Sequence, residues 1–257
     1  MRSALEFSCE GDTLFGTLDP APGEIGLLIV SGGNEIRSGA WAGQAQLAAR
    51  IAAVGHPVLR YDRRGVGDSS GVNRGYHGSS ADIAAAVVAF RAAAPGLRRV
   101  VAFGNCDAAS ALMLFGRDLA IDALILANPW AIEGADDAVQ AQAPAALRRR
   151  YAAKLADPEE WRRLLGGAID LRKLAHGLRQ AAAAAPKSAL AEQMRVELMR
   201  FGGPVTILLA TRDRTAELFA VAWGDDARIA RLASASHSFA DEAAREWLYK
   251  RICAALV

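Results

Sequence analysis

The chain has 257 residues, 52% of them hydrophobic and 23% charged, with a formal net charge of +2. That length can bury the core of one large domain, or of a domain carrying an insertion. The balanced charge gives no argument for nucleic acid, and no run of ~18 uncharged apolar residues reads as a transmembrane helix.

The N-terminal stretch MRSALEFSCEGDTLFG carries acids early and has no long apolar centre, so it is not read as a signal peptide. The three cysteines, Cys9, Cys106 and Cys253, are far apart and odd in number. They lack metal-site spacing and do not suggest a disulfide framework. A reducing cytoplasm is the expected location, with no metal or cofactor.

In chain order, Leu5 to Cys9 and Leu14 to Leu18 flank the turn Glu10-Gly11-Asp12 and predict an opening β-hairpin. GLLIV (26–30) is a continuous apolar run ending at Ser31-Gly32-Gly33, a buried strand followed by a glycine loop. Residues 41–55 carry helical periodicity and stop at Gly55. PVLRYD (57–62) predicts a strand, and the following DRRGVGDSSG (62–71) a structural turn at the edge of a site. A helix is expected over 81–96, a strand over 99–104 and a helix over 107–116. Strands are then expected over 121–130, 204–213 and, more weakly, 228–234, with helices over 215–223 and 241–256.

Strands alternating with helices predict an α/β fold: a mostly parallel sheet covered by helices on both faces. The rhythm breaks after Trp130, in an alanine- and arginine-rich stretch without a strand candidate. Residues 1–130 and 204–257 are therefore expected to form the core, with 131–203 an inserted helical lid. Basic residues outnumber acids from Arg148, Arg149 and Arg150 to Lys187. They read as a solvated face or, functionally, as a dock for an anionic partner.

The stretch FGNCDAASALMLFG (103–116) holds the sharpest signal. A strand meets a tight turn of small residues with Cys106 at its apex, and a helix follows at once. In an open parallel sheet, ligands gather at the carboxyl ends of the strands. A nucleophile at such an apex needs small neighbours, and Gly104, Ala108 and Ala109 supply them. The plain alternative is a cysteine packed into a tight corner.

A thiol nucleophile needs a base, and the base an orienting acid. Of four histidines, His56 precedes a strand, His77 precedes a helix and His176 lies in the lid segment. His237, in SASHSF after the last strand, alone fits the order. An acid can follow either the strand after the cysteine helix or the strand after the lid. The first place holds Asn128, which is uncharged, and the second holds Asp213. Cys106, His237 and Asp213 are thus the expected catalytic set. A helix N-terminus and an imidazolium both favour the thiolate, which Asp107 opposes unless its carboxylate turns to first-turn amides. The backbone N–H of Asp107 is one expected oxyanion donor. The second is Gly33, or else Asn34, in SGGNE.

These residues resemble the α/β-hydrolase superfamily and, more narrowly, the exosortase A system-associated hydrolases, ortholog 1. The likeness runs through GGNEIRSG, PVLRYDRRGVGDSSG, GNCDAAS, LANPW, TRDRTAELF, SHSFAD and the lid segments DPEEWRRLLGG and DLRKL, and the Cys-Asp pair with the NPW segment points to the narrower group. It implies acyl transfer beside exopolysaccharide machinery, on a small acyl group carried by an acyl carrier protein or coenzyme A. The leading reading is a Cys-His-Asp hydrolase or acyltransferase acting on a thioester or activated ester. A carboxylester or lactone hydrolase, and a non-catalytic binding protein of the same fold, are the alternatives.

Overall fold

A computed structural model describes residues 2–132 and 188–257 of the chain. Its centre is an eight-stranded sheet in the order β1-β2-β4-β3-β5-β6-β7-β8. The opening hairpin, β1 (Ser3–Cys9) and β2 (Asp12–Asp19), pairs antiparallel, and β2 joins β4 (Val58–Tyr61) antiparallel as well. From β4 onward the sheet is parallel, through β3 (Ile25–Val30), β5 (Arg99–Asn105), β6 (Ala123–Ala127), β7 (Val205–Ala210) and β8 (Ile229–Leu232).

The continuous apolar strands are explained by burial on both faces. Leu28, Val30, Val100, Ala102, Leu124 and Leu126 pack into one core, while Leu27, Ile29, Val101, Phe103 and Ile125 point into the other. The first core is covered by α2 (Ser80–Ala93), α3 (Asp107–Phe115), α4 (Ala189–Arg200) and α5 (Arg214–Trp223). The second is covered by α1 (Gly43–Ala53) and α6 (Glu242–Ala255). Side-chain caps fix where three of these helices begin: Ser188 accepts from Ala191 N–H, Asp213 from Ala216 N–H and Asp241 from Ala244 N–H.

Of the segment expected to be a lid, residues 133–187 lie outside the described residues, and with them Arg148, Arg149, Arg150 and His176. Its last part is α4, whose Leu190, Ala191, Met194 and Leu198 are buried in the first core. Among the described residues no helix is long and apolar enough to cross a membrane.

The DRRGVGDSSG loop is a buried polar knot. Asp62, wholly buried, pairs with Arg37 and accepts from Arg37 N–H at 2.5 Å. Arg64 pairs with Asp82 and Glu10, both at 2.5 Å. This knot sets the loop after β4 beside the loop after β3, at the carboxyl edge of the sheet.

Candidate active site

β5 ends at Asn105 and α3 begins at Asp107, leaving Cys106 alone to reverse the chain. It does so at φ 60° and ψ −127°, a left-handed conformation that costs a non-glycine residue about 1–3 kcal/mol. Hydrogen bonds to its backbone hold it there. Cys106 N–H donates to Ala127 O at 3.0 Å, and its carbonyl accepts from Ala109 N–H at 3.1 Å and Trp130 N–H at 3.3 Å. Close approach also explains Gly104: a Cβ there would lie 2.8 Å from the Ala108 carbonyl carbon. The strained turn lifts the half-buried thiol above the sheet edge.

Asp213 and His237 arrive from the loops after β7 and β8. Asp213 follows β7 and is buried; its Oδ2 accepts both Ala216 N–H at 3.1 Å and His237 Nδ1 at 3.0 Å. The helix cap therefore fixes the carboxylate before the histidine uses it. The Cys106 thiol is close enough to the same imidazole to help hold its proton. First the Asp213 carboxylate and then the Cys106 sulfur hold the His237 proton, overriding partial burial and pushing its pKa up to about 10. Of the three residues expected from chain order, Asp213 and His237 are joined by a hydrogen bond, and Cys106 lies near enough to influence the imidazole.

Two asparagines pin the histidine loop. Asn128 Nδ2 donates to His237 O at 3.0 Å, and Asn105 Nδ2 donates to the same oxygen at 3.2 Å. Asn128 also bonds Asn105 Oδ1 at 3.3 Å and accepts from Ala210 N–H at 2.9 Å. It is wholly buried at φ 41°. Asn128 thus stands where an acid could have followed β6 and serves instead to tie β6, β7 and the histidine loop together. Its amide, which both donates and accepts, suits it to this tie.

The nominated oxyanion donors are arranged differently from one another. Asp107 N–H heads α3, where backbone donors have no intrahelical acceptor. Gly33 N–H is already bonded, to Asp107 Oδ1 at 2.6 Å. Asn34 is exposed beside it and accepts from Asn73 Nδ2 at 2.8 Å. The Asp107 side chain does not cap its own helix. Instead its Oδ2 sits 3.5 Å from Arg63 Nη2, and Arg63 also donates to Gly33 O. A buried guanidinium on the neighbouring loop is a stronger partner for a carboxylate than neutral first-turn amides. Arg63 was legible only as part of a turn.

A cavity of about 330 Å³ opens between the starts of α1 and α6. Glu35, Trp41, Gln44, Phe103, Asn105, Ser238 and Arg245 are among its walls. It includes Asn105 and Ser238, the chain neighbours of Cys106 and His237, but neither of those two residues. Trp41 reaches across it to donate to Ser238 Oγ at 3.2 Å, from a backbone at φ 48°. Burial pushes the Glu35 carboxyl up, against opposing pulls from Ala40 N–H and His237. Among the described residues no cluster of His, Cys, Asp or Glu is placed to hold a metal ion.

The arrangement can form a thiolate–imidazolium pair beside backbone amides, which suits nucleophilic attack on a carbonyl. Similar folds recur among solved structures. An α/β hydrolase from Penicillium sp. sh18 matches with a TM-score of 0.63 at 16% identity, covering 100% of this chain and 98% of that one. An esterase from Pyrococcus furiosus matches with a TM-score of 0.62 at 15% identity, covering 99% and 90%. A thioesterase domain from the curacin biosynthetic pathway matches with a TM-score of 0.56 at 14% identity, covering 98% and 99%. No curated protein sequence matches the chain. The family model described as the alpha/beta hydrolase family matches residues 27–251, and with the sheet order, the elbow and the loop positions above, the chain belongs to that family.

Proposed function

We propose that the protein is a cysteine-dependent acyl hydrolase or acyltransferase acting on a thioester or activated ester. One observation carries the reading: Cys106 stands at a strained elbow at the carboxyl edge of the sheet, where His237 is held by its Nδ1 bond to the buried Asp213 at 3.0 Å. A cysteine that merely filled a corner would need neither the bonded His237–Asp213 pair nor the capped carboxylate behind it. The fold's presence in an esterase and in a thioesterase domain supports the same chemistry.

The reaction follows from the geometry. The Cys106 thiolate attacks the acyl carbon, and the carbonyl electron pair moves onto oxygen beside Asp107 N–H. As the intermediate collapses, the leaving thiolate takes the proton from His237. Neutral His237 then removes a proton from water, which attacks the acyl-enzyme and releases the carboxylic acid and Cys106. An alcohol or amine in place of water gives transfer. Asp213 stabilises the imidazolium that appears at each stage and selects the tautomer with Nδ1 protonated.

The finer reading rests on sequence. The exosortase A-associated likeness and the basic excess between Arg148 and Lys187 favour an acyl group carried on coenzyme A or an acidic carrier protein. Turnover should then fall as salt rises, because screening shortens from about 10 Å at 0.1 M to about 3 Å at 1 M.

The test is a panel of acyl-coenzyme A, acyl-N-acetylcysteamine and p-nitrophenyl substrates, followed by chromatographic detection of the released acid. Wild-type turnover that vanishes in Cys106→Ala and His237→Ala is expected. Full turnover in Cys106→Ala would overturn the proposal.

A further inference from the structure

Asp107 follows the nucleophile directly, and its carboxylate lies where an acyl-transfer centre needs a free donor. Oδ1 holds Gly33 N–H at 2.6 Å, and Oδ2 lies 3.5 Å from Arg63 Nη2. Arg63 in turn donates to Gly33 O, so carboxylate, guanidinium and loop close a ring. The approach is built into the backbone. A Cβ on Gly32 would lie 2.8 Å from Asp107 Oδ1 and 2.6 Å from Asn105 O, so a side chain there would push the loop off the elbow. Arg63 is 2% exposed, and its Nη1 is buried with no partner among the described residues.

The geometry points to a self-closed oxyanion hole: in the resting enzyme the Asp107 carboxylate occupies the Gly33 donor, and a reacting substrate opens the site by displacing that carboxylate onto Arg63. This inference rests on the assignment of Cys106 as nucleophile.

The displaced carboxylate has somewhere to go. Among the described residues Arg63 Nη1 has no partner, so the planar fork can take both carboxylate oxygens once Gly33 is released. The charge remains paired throughout, which matters because an unpaired charge in a buried setting is strongly unfavourable. The competition also discriminates. A neutral carbonyl oxygen is a weaker acceptor than a carboxylate and does not displace it. The oxygen of the tetrahedral intermediate carries charge and can. Gly33 N–H is thereby reserved for the transition state rather than for bound substrate. Electrophiles that must pass through an oxyanion meet a closed site, while direct alkylation of the thiolate does not.

Two probes separate these cases. Iodoacetamide alkylates Cys106 by displacement of iodide and needs no oxyanion donor. Octanal adds reversibly: the Cys106 thiolate bonds the carbonyl carbon and the C=O pair moves onto oxygen, giving a hemithioacetal oxyanion while the proton stays on His237. Both are measured on wild type, Asp107→Asn and Asp107→Ala, with the octanal Kd compared at each variant's own alkylation rate. Asparagine offers a neutral acceptor and alanine none. The expected order of affinity is therefore Ala above Asn above wild type, with Ala at least about tenfold tighter than wild type, equal to about 1.4 kcal/mol. Unchanged or weakened octanal binding with alkylation intact would overturn the inference and leave Asp107 as a support for the loop. Absence of alkylation at Cys106 in folded wild type would instead remove the nucleophile assignment, and the closed hole with it. A crystal structure of the wild-type octanal adduct gives a check free of any folding defect in the variants. Gly33 N–H should face the adduct oxygen, and persistence of its 2.6 Å bond to Asp107 would refute the displacement.

Discussion

Asn128→Ala tests whether the histidine loop is held as described. The substitution removes the acceptor for Ala210 N–H at 2.9 Å and one of two donors to His237 O at 3.0 Å. Ala210 is wholly buried, so its N–H would be left without a partner, at a cost of about 1–3 kcal/mol. Position 128 sits at φ 41°, where alanine is less at ease than asparagine by roughly 1 kcal/mol. Partial relaxation offsets some of this, and a net loss of about 2–4 kcal/mol is expected. Urea unfolding should show a lowered midpoint at unchanged slope. Turnover should fall by about 10²-fold even where the variant is folded, since a shift of about 1 Å in a catalytic group has that effect. Asn128→Asp gives the complementary result. It keeps an acceptor for Ala210 but turns a second carboxylate oxygen toward His237 O and Asn105 Oδ1, so burial and these carbonyls raise its pKa above the unfolded value near 3.9. Its deficit should therefore be small below that value and grow as pH rises through the folded pKa. A loss under about 1 kcal/mol for Asn128→Ala, with normal turnover, would refute this account of the residue.

Other outcomes follow from the same geometry. In a proton NMR titration His237 should remain doubly protonated until about pH 10, and Asp213→Asn should bring that midpoint down. Because the folded pKa is the higher one, this proton stabilises the fold fully below the unfolded value of about 6.5, and the contribution is lost as pH rises toward 10. Peptide mapping after brief iodoacetamide treatment should find Cys106 labelled and Cys9 untouched, since burial and the neighbouring Asp82 push the Cys9 thiol up to about 11; labelling of Cys9 first would contradict the buried assignment. Gly104→Ala sets a Cβ 2.8 Å from the Ala108 carbonyl carbon and should destabilise by about 1–3 kcal/mol while slowing Cys106 alkylation, measured by melting and by mass spectrometry.

The strands and helices were legible because each apolar run has the period its environment demands. GLLIV reads as a strand buried on both faces, and Leu27 and Leu28 do point into opposite cores. The pairing of Asp213 with His237 was legible through chain order, since the loops after β7 and β8 meet at the carboxyl edge. What escaped the sequence lies in contacts between distant loops. Nothing around Arg63 announces that its guanidinium crosses to Gly33 and Asp107, and nothing in GNCDAAS says which way the Asp107 carboxylate turns. Asn128 could be rejected as an acid from its chemistry, but its role as a tie required the placement of His237 O. The end of the lid segment was obscured for a related reason. The sequence of α4 is amphipathic like any surface helix, and only packing shows its apolar side in the main core.

The central claim is that Cys106 carries the acyl group, and intact mass spectrometry during turnover of an acyl-N-acetylcysteamine thioester tests it most directly. Rapidly quenched wild type should gain the mass of one acyl group, and peptide mapping should place it on Cys106. The adduct should be absent in Cys106→Ala. An acyl group on any other residue, or steady hydrolysis in Cys106→Ala, would contradict the account.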